Sequence, residues 1–199
     1  MSYREKIEQY IAIEAKPVDK YGHQPRLYAL ARAVGEGLSY DDDVVHAAVW
    51  MHDLGVFYGH RPVNQVELEK WDSVRYAMER TPGLLTEFGF PASKIEAVVE
   101  AIRTHQPSFE PLTVEGVILR DADILEQLGA IAILRTASKV GRDTRFHRFT
   151  DAVVNLKKML ATLPAMIRLD STRVLAGPKI AALVEFSRAV EAEDQGALH

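Results

Sequence analysis

The chain has no cysteine among its 199 residues. Disulfides and thiolate-bound zinc are therefore excluded, and any metal ion must be held by His, Asp or Glu. No apolar run approaches the ~20 residues that a membrane span requires. The N-terminal stretch MSYREKIEQYIAIEA is charged and amphipathic and lacks the apolar centre of a signal peptide. A soluble cytoplasmic protein is the expectation, with no membrane partner. The net charge is -4 and there is no basic block, which argues against duplex nucleic acid as the main partner. The chain also lacks a sequence repeat, a low-complexity segment and a convincing strand pair.

What is present is helical patterning. Hydrophobic residues make up 47% and charged residues 26%, enough apolar material for a real core. Leu27, Leu30, Ala31 and Val34 recur at helical spacing, and Gly35 and Gly37 end that segment. Val45, Ala48, Val49 and His52 repeat the pattern. Asp41, Asp42 and Asp43 open this second helix, where carboxylates suit the positive end of the dipole, and Gly55 stands where a C′ glycine is expected. A more polar helix is predicted over 65–79. Ser93 and Glu96 read as a capping box before Ile95, Val98, Val99 and Ile102. The loop HQPSFEPL closes that helix. A long, largely buried helix is predicted over 121–139, and two more near 149–162 and 178–193, with Pro164 and Pro178 bracketing the break. The expected fold class is all-α. The chain reads as one domain, 1–199, with a core over about 20–140 and the C-terminal helices, about 149–193, packed on it.

The chemistry centres on HAAVWMHDLG, residues 46–55. His52 lies on the apolar stripe, and Asp53 follows about 100° further around the axis. The two can converge on one ion beside the last turn, where the helix dipole favours a cation. Alone, the pair reads rather as a core histidine and a solvated aspartate. His23, one turn before Leu27, and His105, ending the Ile95–Ile102 stripe, are further histidines on apolar faces. Imidazole and carboxylate together suit zinc, manganese, iron, cobalt or nickel without distinguishing them. Asp121 and Asp123 open the long apolar helix. Periodicity puts Asp121, not Asp123, on the face of Ile124 and Leu128.

The order His23, His52-Asp53, Asp123 resembles the HD-domain superfamily of metal-dependent phosphohydrolases. The segments that carry the likeness are HDLG at 52–55, IEAVVEAIRTHQ ending near His105, and DADILEQLGAIAILR at 121–135. They are similar to a small bacterial HD hydrolase group, over roughly residues 20–140. The resemblance implies a helical bundle with a C-terminal helical extension and one divalent transition metal ion, with no organic cofactor. By residue match the ligands are His23, His52, Asp53 and Asp123, and Asp121 then reads as an N-cap. The implied activity is hydrolysis of a phosphate ester or anhydride in a nucleotide or another small phosphorylated metabolite. His105 is the implied catalytic neighbour, orienting water or protonating the leaving group.

Two departures bear on that implication. The segment LEKWDSVRYAMERT holds no histidine, where two-metal members carry extra ones, and no acidic residue stands between Asp53 and Glu67. An HD-fold enzyme acting on a non-phosphate substrate, of hydratase or oxygenase type, stays open, as does a non-catalytic helical module that binds ligand or metal. The connector KVGRDTRFHR, with Lys139, Arg142, Arg145, His147 and Arg148, reads as a solvated loop or as a receiver of phosphate groups. His46, His60 and His199 read as structural or surface residues, and Trp50 and Trp71 as core or edge residues. A homodimer is compatible with the sequence, which does not demonstrate one.

Overall fold

The computed structural model describes residues 1–17, 22–142 and 146–198. His199 and Arg145 lie outside the described residues. Among those described there are ten α-helices and no strand, only an isolated bridge between Tyr58 and Arg61. The chain is all-α, as its patterning predicts. No helix among the described residues is long and apolar enough to cross a membrane. The chain forms two compact units, Met1–Ala122 and Asp123–His199.

The first unit is built around α3 (Asp42–Met51), whose residues from Val44 to Met51 are all buried. A helix that is apolar all round must be covered all round. Around it pack α1 (Tyr3–Glu14), α2 (His23–Val34) and α6 (Ile95–Thr104). Helix α5 (Ser73–Phe88) lies against α1 and α6. Each aliphatic side chain fully buried here, such as Leu27, Val49 or Ile102, contributes about 1.5–3 kcal/mol. Asp41 caps α3 by accepting from the amides of Asp43 and Val44, at 3.0 and 3.4 Å. Arg4 of α1 and Lys94, just before α6, hold the acidic turn. Arg4 contacts Asp42 and Asp43 at 2.8 and 2.6 Å, and Lys94 contacts Asp41 and Asp43 at 2.8 Å each. These ion pairs fix how α1 and α6 meet the start of α3.

Several boundaries depart from the sequence reading. The polar helix over 65–79 is two helices, α4 (Gln65–Glu69) and α5, because Asp72 caps a new start by accepting from the Arg75 amide at 2.9 Å. The Ser93–Glu96 capping box does not form. A 3-10 turn, Ala92–Lys94, precedes α6, and backbone carbonyls of Pro91 and Ala92 already satisfy the first amides. Gly55 is not a C′ residue. His52 is the C-cap of α3, and Gly55 lies inside a 3-10 turn, Leu54–Val56.

The largest correction is in the long helix. Helix α7 runs from Val114 to Glu126, and α8 from Gly129 to Ala137. Asp121 is therefore mid-helix and fully buried, not an N-cap. The break follows from Leu128, extended at φ -120° and ψ 151°, and from Gly129 at φ +79°, a left-handed conformation that few other residues tolerate.

In the second unit α8, α9 (Phe149–Thr162) and α10 (Asp170–Glu193) pack on one another. Helix α9 has the bounds its periodicity predicts. Helix α10 begins eight residues before Pro178 and runs through it. The proline removes one amide and crowds the carbonyl of Val174, four residues back. Val174 is 77% exposed, so water can serve that carbonyl.

Candidate metal centre

Three of the sequence-predicted residues come together at the end of α3. His52 is 2% exposed, and its Nδ1 lies 2.8 Å from the carbonyl of Val49. A carbonyl only accepts, so Nδ1 donates to it, which leaves Nε2 as the ring nitrogen that can face a metal ion. The next residue, Asp53, turns out of the helix at φ -93° and ψ 9° and leads into the 3-10 turn, closed by the Val56 amide on the Asp53 carbonyl at 2.9 Å. His23, the first residue of α2, is buried beside them at 3% exposure. Its ring meets that of His52 edge to face, centroids 5.4 Å apart.

The Asp53 carboxylate lies between the two imidazoles. Oδ1 is 3.6 Å from His52 Nε2, and Oδ2 is 3.7 Å from His23 Nε2. Both separations are long for hydrogen bonds. They match the spacing of donors around a shared ion, since two ligand atoms each ~2.1 Å from a tetrahedral metal lie about 3.4 Å apart. The ligand atoms of all three residues fall within 4.8 Å of one another. The donor set is two imidazoles and a carboxylate, with His52 and Asp53 on the negative end of α3, and it fits a borderline divalent cation.

His105 is placed beside this group. It caps the C-terminus of α6 and is 6% exposed. Its Nδ1 is 2.6 Å from the carbonyl of Ile102, and its ring centroid is 5.1 Å from that of His52. The hydrogen bond and the position next to His52 are present together. The loop that follows is anchored by Arg120, which donates to the Pro107 carbonyl at 3.0 Å.

The three-residue group does not include Asp123, which belongs to the second unit. There its carboxylate accepts from Gln127 Nε2 at 2.9 Å, one helical turn on. That partner went unassigned in the sequence, although the i, i+4 spacing was available to reveal it. Nearby on the chain Glu126, 1% exposed, pairs with Arg135 at 3.0 Å.

The remaining histidines have structural places. His46 is 1% exposed and bonds through Nε2 to Glu8 at 2.9 Å, while its Nδ1 has no partner. His60 joins Tyr76 at 3.0 Å and Glu14 at 2.9 Å. Trp50 is buried. In the basic connector, Arg142, His147 and Arg148 are exposed, and Lys139 lies over the Phe146 ring.

The family model for the HD domain matches residues 21–128, more than half of the chain. The chain belongs to the HD-domain superfamily. Among curated proteins, YpgQ of Bacillus subtilis is 26% identical over 191 residues, covering 87% of this chain and 83% of YpgQ. Among solved structures, B. subtilis YpgQ in complex with ADP matches with a TM-score of 0.70 at 22% identity, over 97% of this chain and 98% of that one. A predicted HD superfamily hydrolase from an uncultured Thermotogales bacterium matches with a TM-score of 0.67 at 23% identity, over 96% and 93%. At these identities the structural likeness shows a shared fold, that of HD-superfamily hydrolases. The matched span contains His23, the His52-Asp53 pair, His105 and Asp123.

Proposed function

We propose that this HD-domain protein is a metal-dependent phosphohydrolase that cleaves a phosphate ester or anhydride in a nucleotide or another small phosphorylated metabolite. The observation that carries the reading is the convergence of His23, His52 and Asp53 on one point at the end of α3. The structure of YpgQ with ADP supports the choice of a nucleotide.

His23, His52 and Asp53 would hold one divalent ion, and the family resemblance adds Asp123 as a fourth ligand. When bound, the ion supplies Lewis acidity toward a phosphoryl oxygen and a water of lowered pKa. The protein's own part is orientation and proton transfer. The Val49 carbonyl fixes the His52 ring and aims Nε2 away from its own helix. The Ile102 carbonyl does the same for His105. In its imidazolium form His105 keeps Nδ1–H on that carbonyl and gives the Nε2 proton to the leaving oxygen. No acidic residue stands between Asp53 and Glu67, so His105 is the group assigned to proton transfer.

The test pairs metal analysis of the purified protein and of His52→Ala with a screen of nucleotides and generic phosphate esters. The expected result is metal in the wild type, little in the variant, and phosphate release only by the wild type. Metal binding with no turnover of any phosphate would contradict the reading and favour a non-phosphate substrate or a binding module.

A further inference from the structure

Trp71 lies between α4 and α5, and its indole Nε1–H donates to the carbonyl of Gly55 at 2.8 Å. Gly55 is buried in the 3-10 turn that begins immediately after Asp53. A Cβ at Gly55 would lie 2.3 Å from the Ser73 carbonyl oxygen and 2.7 Å from Ser73 Cα. The turn therefore rests backbone on backbone against the first residue of α5, a contact only glycine permits. Segment 71–73 grips this turn twice, once by the indole and once by the Ser73 main chain.

The turn carries one of the cluster's three groups. Asp53 sits where α3 ends and the turn begins, with the Val56 amide closing onto its carbonyl at 2.9 Å. Its carboxylate is 3.6–3.7 Å from the two imidazoles, too far for them to fix it by hydrogen bonds. The backbone of the turn sets where that carboxylate stands, and a ligand set tolerates only about 0.5 Å of error. Trp71 is itself held. Its ring packs on Tyr76 at 5.2 Å, the Tyr76 hydroxyl meets His60 Nδ1 at 3.0 Å, and His60 Nε2 meets Glu14 at 2.9 Å.

We propose that the Trp71–Gly55 hydrogen bond is a latch that sets the Asp53 carboxylate, which makes Trp71 a positioning residue of the metal centre. The proposal rests on the reading of the cluster as a metal site.

The test is a Co2+ titration of the full chain by calorimetry and by visible absorption, in the wild type and in Trp71→Phe. Phenylalanine keeps a ring against Tyr76 and removes the donor. Should that variant not fold, 3-benzothienylalanine at position 71 keeps the bicyclic shape and loses only the N–H. The expected result is Co2+ affinity weaker by about tenfold or more, with a changed d–d spectrum. A purely scaffolding tryptophan would lower the melting temperature of the metal-free chain and leave both readouts as in the wild type, which would overturn the proposal. If the wild type itself binds no Co2+, the metal reading fails and the latch with it. If the wild type binds and the variant matches it, only the latch fails.

Discussion

The rings of His52 and His105 meet edge to face with their centroids 5.1 Å apart. Each histidine is the C-cap of its helix, and each places Nδ1 on the carbonyl three residues back, Val49 or Ile102. Helices α3 and α6 pack against one another, so two free helix ends present two oriented imidazoles to one place. The carbonyls left unpaired at a helix C-terminus thereby fix which nitrogen carries the proton.

His105→Gln should separate metal binding from chemistry. The variant is expected to bind Mn2+ as tightly as the wild type while phosphate release falls by roughly 10²–10⁴-fold. The limb of the pH–rate profile that reports the acid should also disappear. Isothermal titration and a pH–rate profile on the best substrate check both. Loss of Mn2+ binding would make His105 a ligand instead.

Asp121 and Asp123 can be told apart by the same titration. Asp123→Asn is expected to weaken Mn2+ binding by about tenfold or more, since a neutral amide is a poor substitute for a carboxylate ligand. Asp121→Asn, at a fully buried position in α7, is expected to lower thermal stability and leave Mn2+ affinity unchanged. The opposite pattern would reassign the fourth ligand.

Stability should fall in two steps as the solution is acidified. Burial holds the His46 imidazole below its usual 6.5, outweighing the Glu8 hydrogen bond that acts the other way. The folded chain keeps His46 neutral while the unfolded chain protonates it, so this stability is complete above about 6.5 and is lost below. Burial pushes the Asp43 carboxyl up, but hydrogen bonds from Lys94, Arg4 and Tyr3 outweigh it and hold it well below the usual carboxylate range. That contribution is present above about 3.9 and is lost as pH falls further. Urea unfolding at pH 8, 5 and 3 reads both steps. His46→Gln should flatten the loss between pH 8 and 5, and an unchanged slope would contradict the assignment.

Helix α10 carries Gly177 and Pro178 in its interior, and a Cβ at Gly177 meets nothing within 4 Å. Gly177→Ala should raise stability by about 0.5–1 kcal/mol. Pro178→Ala should raise it by about 1 kcal/mol or more, by restoring the amide toward Val174. Denaturant midpoints check both, and a lower midpoint for either would show that the site needs its native residue.

The reach of the sequence follows from which signals are local. The all-α class, the end of α2 at Gly35, the start of α3 at its aspartates and the bounds of α9 are legible because apolar spacing and flanking residues act within a turn or two. His52 and His105 are legible as ends of apolar stripes. The division of 65–79 at Asp72 was written in that residue's own capping chemistry and needed only to be weighed against the run of helix formers around it. Asp121 was misread because the helix starts two turns earlier, at Val114, where the Thr113 hydroxyl accepts from the Gly116 amide at 3.1 Å and so already caps it. Gly55 was misread because the demand for glycine comes from Ser73, a neighbour in space supplied by another helix. Pro178 misled because a proline is tolerated mid-helix where the carbonyl behind it reaches water, and exposure is a tertiary property.

The most direct measurement is the Mn2+ stoichiometry of the metal-stripped chain by equilibrium dialysis, for the wild type and for His23→Ala, His52→Ala and Asp53→Ala. One ion per wild-type chain, with binding lost or weakened at least about a hundredfold in each variant, is the predicted result. Binding that persists unchanged in all three variants, or a wild type that takes up no Mn2+, would contradict the assignment of these side chains to a metal centre.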